Sequence, residues 1–291
     1  MNHHASRRQF LATATATALA LAPHALFAAD KQREIKKAIM WGTVGVKGSV
    51  LEKMQQVKAA GFVGVEPNGG MDRAEVVAAL KETGLKAASV CCHTHWAKPL
   101  SAPDEATRKV GFDGLVLSLG DAKAYGATSV LLVPGVVSDK VSYDDCFKRC
   151  VEEIKKTVPV AKDLGVQIAI ENVWNNFVTK PQQAVDLLDA INSEWVGWHF
   201  DIGNVGRYSP AEEWIPVIGK RILKLHIKEY SLAKGFGVKF FEGDNHWPAI
   251  MAELDKCGYT GWGITEMPGG QTKDAEAMKE FSALLGKVFA S

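Results

Sequence analysis

One ordering constrains this chain more than anything else in it: from Ile35 to the end, short apolar runs rich in β-branched residues alternate with helical patterns. The strand-like runs fall at residues 38–41, 64–66, 87–92, 129–133, 167–171, 197–201, 222–228 and 263–266. Helical patterns lie between them, among them 50–60, 73–83, 105–125, 142–164 and 181–191. Gly61, Gly84, Gly126, Gly165 and Gly258 each follow a helical stretch, where a residue without Cβ can end the helix in the left-handed conformation. Successive strands joined through helices run parallel. Eight such units, with no dinucleotide fingerprint after the first strand, predict an α/β fold closed as a single (β/α)8 TIM barrel rather than a doubly wound sheet. The Gly235-Phe236-Gly237 pair is too short to cradle a phosphate.

Ahead of this pattern, Ser6-Arg7-Arg8-Gln9-Phe10-Leu11 precedes an Ala- and Leu-rich run ending near Ala28-Ala29. That arrangement resembles a twin-arginine export signal over residues 1–29, with cleavage near Ala28. The apolar run over residues 11–22 is too short and too diluted by Ala and Thr for a membrane span, which needs about 20 apolar residues. The mature chain, residues 30–291, is therefore expected to be periplasmic or otherwise extracytoplasmic, with no membrane span. Its roughly 260 residues suit one barrel domain.

The whole chain carries a formal net charge of +1. Arg7 and Arg8 are the only Lys or Arg before Asp30, so their loss brings it to −1 and leaves no basic surplus for nucleic acid. The five cysteines form no metal-type Cys-x-x-Cys pattern and cannot all pair. Cys146 and Cys150 stand one helical turn apart and could meet after export. Cys91-Cys92 lies in a strand-like stretch, where alternation sends one thiol inward and one outward. A vicinal bridge would be strained, so buried free thiols are expected.

Four successive strand-like runs end in a group able to hold a metal: Glu171 in AIENVWNNF, Asp201 in WHFDIGN, His226 in LKLHIKEY and Glu266 in WGITEMPGG. They lie 30, 25 and 40 residues apart, each gap about one βα unit. In a parallel barrel such ends converge on the C-terminal mouth. A single acidic residue at a strand end is usually just solvated. Three carboxylates and one imidazole on four consecutive ends predict a divalent-metal site, with Mn²⁺ first and Mg²⁺, Co²⁺ or Zn²⁺ as alternatives.

On these residues the chain resembles the xylose-isomerase-like TIM barrels over nearly all of its mature length. Within them it is most similar to the sugar epimerase and isomerase branch that includes D-tagatose 3-epimerase and hydroxypyruvate isomerase. In that family the last four strands give ligands in the order Glu, Asp, His, Glu, so the resemblance implies those roles for Glu171, Asp201, His226 and Glu266. The EGDNHWPAI stretch at residues 242–250 is similar to the family's loop between strand seven and the next helix. Epimerases of the family often carry Asp-x-x-His after strand six, where this chain departs with Asp201-Ile202-Gly203-Asn204.

The chemistry needs such groups on physical grounds. Removing a proton α to a carbonyl leaves an enediolate whose charge must be held. A divalent metal can do so as a Lewis acid, while one carboxylate takes the proton and another acid returns it. Glu171 and Glu266 are the natural catalytic pair. Return to the opposite face inverts a carbon, and return to the same face gives aldose-ketose isomerisation; both stay open. The expected substrate is a free sugar or keto-sugar, because an exported enzyme would seldom meet sugar phosphates. Two alternatives remain, a metal-dependent lyase or hydratase acting on 3-keto-glycosides and a non-catalytic carbohydrate-binding barrel. A nuclease would need more histidine ligands and a basic surface.

Substrate contacts are expected from Trp41 and Trp174 as apolar platforms. Polar contacts are expected from Glu66, His95, Asn204 and Lys228, with Lys228 facing either a substrate oxygen or Glu66. His199 should point to the same side as Asp201. His93, Asn175, Asn176 and His246 are weaker candidates near the mouth. The oligomeric state is left open, a homo-oligomer included.

Overall fold

The computed structural model describes residues 33–291, and the export signal expected over residues 1–29 lies outside them. The described residues belong to one compact unit. Its strands are β1 (Ile35–Met40), β2 (Gly64–Glu66), β3 (Lys86–Ala87), β4 (Val90–Cys91), β5 (Ser129–Leu132), β6 (Gln167–Glu171), β7 (Val196–Asp201), β8 (Ile222–Ile227) and β9 (Gly261–Thr265). They pair in parallel in the order β3-β2-β1-β9-β8-β7-β6-β5-β4.

The single strand expected at 87–92 is split into β3 and β4 by Ala88 and Ser89. The first half pairs with β2, placing Val65 beside Ala87. The second pairs with β5, placing Cys91 beside Leu131. Cys91 N–H still donates to Pro67 O at 2.9 Å, and Gly69 N–H donates to Cys91 O at 2.8 Å, so the ring closes across the break. At the break Ser89 Oγ donates to Ser129 O at 3.2 Å. Counted this way the sheet is the eight-stranded barrel the repeat predicts.

Helices α1 (Val50–Ala59), α2 (Arg73–Thr83), α3 (Glu105–Tyr125), α4 (Tyr143–Leu164) and α5 (Pro181–Ile191) lie within a residue of the expected bounds. A single turn, α6 (Ile202–Val205), follows β7, and α7 (Ala211–Ile218), α8 (Trp247–Lys256) and α9 (Ala275–Ala290) complete the outer ring. Side chains of Ser49, Asp72, Asp104, Ser142 and Asp274 accept backbone N–H groups in the first turns of α1, α2, α3, α4 and α9, groups that otherwise have no partner in the helix. Gly126 and Gly165 end α3 and α4 at φ +75° and +67°, a region where a Cβ is strained.

Alternation along the strands sorts the side chains. Ile39, Val65, Val130, Leu132, Ile168, Ile170, Trp198 and Phe200 face the helices and join Met54, Leu115, Leu119, Ile154, Leu187 and Trp214 in the main core. The inward faces divide by chemistry. On the β1, β4 and β5 side, Ala38, Met40, Cys91, Leu131 and the following Val133 pack as small apolar clusters. On the β6, β7 and β8 arc stand Glu171, His199, Asp201, Lys224 and His226, and Glu66 of β2 reaches across the barrel to His226; all are buried. Barrel interiors are ordinarily filled by bulky branched residues. A charged interior is stable only if its groups are paired or hold a ligand.

The β7–β8 register shifts between Trp198 and His199, and beyond the shift Asp201 stands beside His226. The cysteines are free. Cys146 and Cys150 approach to 3.9 Å between sulfurs without a bond. Among the described residues no helix is long and apolar enough to cross a membrane.

Candidate metal centre

Glu171 ends β6, Asp201 ends β7, His226 lies near the end of β8, and Glu266 directly follows β9. One ligand atom from each falls within 4.8 Å of the others. His226 organises the group. Its Nδ1 lies 2.9 Å from Glu171 Oε1, 3.3 Å from Glu266 Oε2 and 3.8 Å from Asp201 Oδ2. Its other nitrogen, Nε2, lies 2.9 Å from Glu66 Oε2. Nδ1 therefore faces the three carboxylates and Nε2–H donates to Glu66, an arrangement that fixes ring and tautomer as metal-binding histidines require.

Lys228, two residues further along the same inward face, places its ammonium 2.9 Å from Asp201 Oδ2 and against Glu266. It also lies 3.3 Å from Asn204 Oδ1 and under the Phe236 ring at 4.9 Å. With the three carboxylates ionised, one ammonium leaves two negative charges over, the charge of one divalent cation. Asp201 Oδ2 and Glu266 Oε2 are buried and lack any hydrogen bond of good geometry. Three hard oxygen donors and one imidazole, whose charge one ammonium does not balance, fit a divalent cation of the Mn²⁺, Mg²⁺ or Co²⁺ kind, and Zn²⁺ less closely.

Burial and charge split the protonation states. Burial pushes Glu171 up to about 7, with His226 pulling the other way. Burial likewise raises Asp201 against the pull of Lys228. For Glu266 burial is outweighed by the Lys228 ammonium and by His226, which hold its carboxyl well below the usual range. Burial opposes charge on His226, but Glu66 and Glu171 overcome it and raise the imidazole well above its ordinary value. Lys228 is raised too, as Asp201 and Glu266 outweigh burial. Below the cluster His199 packs edge-on to His226 at 4.2 Å. Burial, with His226 and Lys224 nearby, keeps it neutral.

A cavity of about 200 Å³ opens above the cluster, and Glu171, Glu266, Lys228, Asn204, His95 and Trp174 line it. Met40, Cys91, Leu131 and Val173 give it an apolar side. Its volume falls below the about 300–1,000 Å³ of drug-sized sites. His95 Nδ1 accepts Val133 N–H at 3.1 Å, and burial lowers the ring to about 4, so a neutral imidazole keeps Nε2–H to donate. Trp174 is braced by its Nε1–H donating to Asn204 O at 2.8 Å. Asn204 is held in turn by Nδ2–H to Asn172 O at 3.0 Å.

Two expected substrate contacts are placed elsewhere. Trp41 follows the last inward residue of β1, so alternation turns it outward; it packs on the core beneath Lys53, and Met40 takes its place at the cavity. Glu66 is fully buried and bonds to His226 instead of lining the cavity. Lys228 pairs with Asp201 and Glu266, not with Glu66. His93 and His246 are exposed, and Asn175 holds Gly135 O at 2.6 Å within a loop.

The residues missed are Trp96 and Phe236 in the cavity wall, Asn172 and Glu229. Asn172 donates to Asp201 O at 2.8 Å and accepts from Trp198 Nε1 and Asp201 N, tying β7 to the end of β6. Its place directly after Glu171 was the available signal. Trp96 stood beside His95, and Phe236 between two glycines.

Fold and site together define a parallel α/β barrel with a carboxylate-rich, metal-competent mouth. The chain belongs to the xylose isomerase-like TIM barrel family, whose profile matches residues 54–285. It is 24% identical over 231 residues to the L-ribulose-5-phosphate 3-epimerase UlaE of Salmonella paratyphi C (strain RKS4594), covering 75% of this chain and 81% of that protein. It is 24% identical over 241 residues to UlaE of Escherichia coli (strain K12), covering 78% and 85%. Among solved structures, D-psicose 3-epimerase in the presence of D-fructose superposes with a TM-score of 0.75 at 18% identity, over 88% of this chain and 100% of the other. The IOLI protein with a bound zinc atom gives 0.74 at 17%, over 88% and 98%. The 3-keto-D-glucoside 4-epimerase YcjR of E. coli gives 0.73 at 16%, over 87% and 98%. At these identities the structural likeness speaks to the fold.

Proposed function

We propose that the protein is a divalent-metal-dependent sugar epimerase or isomerase, exported before it works, acting on a free sugar or keto-sugar by removing a proton α to a carbonyl. The observation that carries this reading is the meeting of the Glu171, Asp201, His226 and Glu266 ligand atoms within 4.8 Å, with Glu171 and Glu266 also lining a monosaccharide-sized cavity. The 3-epimerase relatives support the reaction class.

Glu171, Asp201, His226 and Glu266 would hold the cation, Mn²⁺ for preference, which when bound polarises a carbonyl and holds the negative charge of an enediolate. The chain's own groups do the rest. Glu171 and Glu266 both line the cavity, so one can take the α proton while the other returns one. They come from β6 and the end of β9, with β7 and β8 between them, so they can address a sugar from different sides. Lys228 and His95 Nε2–H stand ready to donate to sugar oxygens, and Trp174 with Phe236 gives the sugar's C–H surface an apolar wall. The apolar side formed by Met40, Cys91, Leu131 and Val173 excludes water from the reacting carbon.

Proton NMR in D₂O tests the reading, with a panel of ketoses and keto-glycosides and Mn²⁺-loaded protein beside Glu266→Gln. Loss of one α C–H signal with the wild type, slowed by at least about a hundredfold in the variant, is expected. Full retention of every C–H signal by stoichiometrically loaded wild type would sink it.

A further inference from the structure

A second cavity, of about 330 Å³, adjoins the metal cavity. The turn after α6 supplies Arg207 and Tyr208 to its wall, and the loop after β8 supplies Tyr230, Leu232, Asp244 and His246. The two spaces share an aromatic partition. Trp174 and Phe236 line the metal cavity with ring centroids 4.8 Å apart. Tyr230, in the wall of the second cavity, packs against both, at 5.6 Å from Trp174 and 5.3 Å from Phe236. The Arg207 guanidinium lies 4.7 Å from the Trp174 ring and also faces the second cavity. Trp174, itself 38% exposed, touches Phe236 and Arg207, so a molecule too long for the first cavity would meet Arg207 on crossing the indole.

The second wall has groups to spare. No carboxylate among the described residues pairs with Arg207, although stacking on an indole orients its planar fork. The Tyr208 hydroxyl is buried without a hydrogen-bond partner. Glu212 and His246 stand 3.9 Å apart in the same wall, at the solvent side. Aromatic rings for C–H surfaces beside a guanidinium and carboxylates for vicinal hydroxyls make up a set that grips a sugar ring. The first cavity, at about 200 Å³, has room for the reacting sugar alone, and the second is the larger.

We propose that the second cavity is a subsite for a further ring, so that the substrate is a glycosylated ketose or keto-glycoside. The reacting sugar lies over the metal cluster, and its attached ring rests against Arg207, Tyr208 and Tyr230. The inference rests on the sugar-epimerase reading of the neighbouring cavity, and its test separates the two.

Calorimetric titration of Mn²⁺-loaded protein compares D-fructose with three glucosyl-fructoses, joined through O3, O4 and O6, for the wild type, Arg207→Ala and Tyr208→Phe. At least one disaccharide should bind about tenfold more tightly than fructose. Arg207→Ala should remove most of that preference, while Tyr208→Phe, which loses only a hydroxyl closed to solvent, should keep it. Equal affinity for all four sugars, including none for any, overturns the subsite, as does a preference that survives Arg207→Ala. The same samples in D₂O report α C–H exchange. Exchange without disaccharide preference rejects the subsite and keeps the epimerase reading. A preference lost in Arg207→Ala, without exchange on any sugar, keeps the subsite and rejects the epimerase reading.

Discussion

His226 is shared between two sets of carboxylates, and that sharing gives Glu66 its role. Glu171, Asp201 and Glu266 crowd Nδ1, while Glu66 alone holds Nε2. Replacing a carboxylate behind a ligating histidine typically costs 10–100-fold in metal affinity. Glu66→Gln is therefore expected to weaken Mn²⁺ binding by roughly that factor while the cavity keeps its lining. Calorimetric Kd values for both proteins decide it, and an unchanged Kd would reduce Glu66 to a packing residue. Protons compete for the same atoms. Glu171 titrates near 7 and His226 well above its ordinary value, so both bind protons that a cation must displace. Metal affinity should thus fall as pH drops through about 7 and keep rising above it while His226 still holds its proton, with protons released on binding. Titrations in two buffers of different ionisation enthalpy measure that release; none at pH 6.5 would contradict it.

The loop after β8 shows what an element needs beyond its pattern. Glu229, fully buried, accepts from Trp247 Nε1 at 2.7 Å, Phe241 N at 2.9 Å, Tyr230 N at 3.2 Å and Asn245 N at 3.3 Å. One carboxylate thus fastens residues 239–247 to the strand end and closes the wall in which Phe236 and Tyr230 stand. Glu229→Gln, which keeps the shape but turns one acceptor into a donor, should cost about 1–3 kcal/mol. It should also open the loop to proteolysis between residues 232 and 244. Unfolding midpoints and cleavage mapping check this, and a protease pattern like the wild type's would refute it. Sequence patterning could not reveal the clamp, because a carboxylate just past a strand reads as solvated until the loop has folded over it. The break at Ala88-Ser89 was equally hidden, since ASVCC reads as one apolar run and only the inward Ser89–Ser129 contact interrupts it. The helices were legible to within a residue at their caps because Ser, Asp and Gly act locally there.

At the scale of the whole barrel, the metal quartet was legible because strand ends of a parallel barrel converge whatever their sequence separation. Which inward residues support the ligands was not, since alternation gives a side and no depth: Glu66 faces inward as expected but sits below the mouth. The inward face of the ring is charged on β6, β7 and β8 and apolar on β1, β4 and β5, with Glu66 of β2 the charged exception. Metal binding should therefore stabilise it unevenly. A cation at a hundred times its Kd adds about 2.7 kcal/mol to folding. For a chain this long that is roughly 5 °C in Tm. The ligands come from the ends of β6, β7, β8 and β9, so amide protection should rise most in those strands and least in β4 and β5, whose inward residues are apolar. Hydrogen exchange with and without Mn²⁺, followed by chelation to reverse the change, tests the gradient. A rise in Tm with protection spread evenly over all strands would mean that the cation binds outside the quartet. No rise at saturating Mn²⁺ would mean that Lys228 and the protons on His226 and Glu171 together satisfy the cluster, and the charged arc would then be a structural device of the barrel.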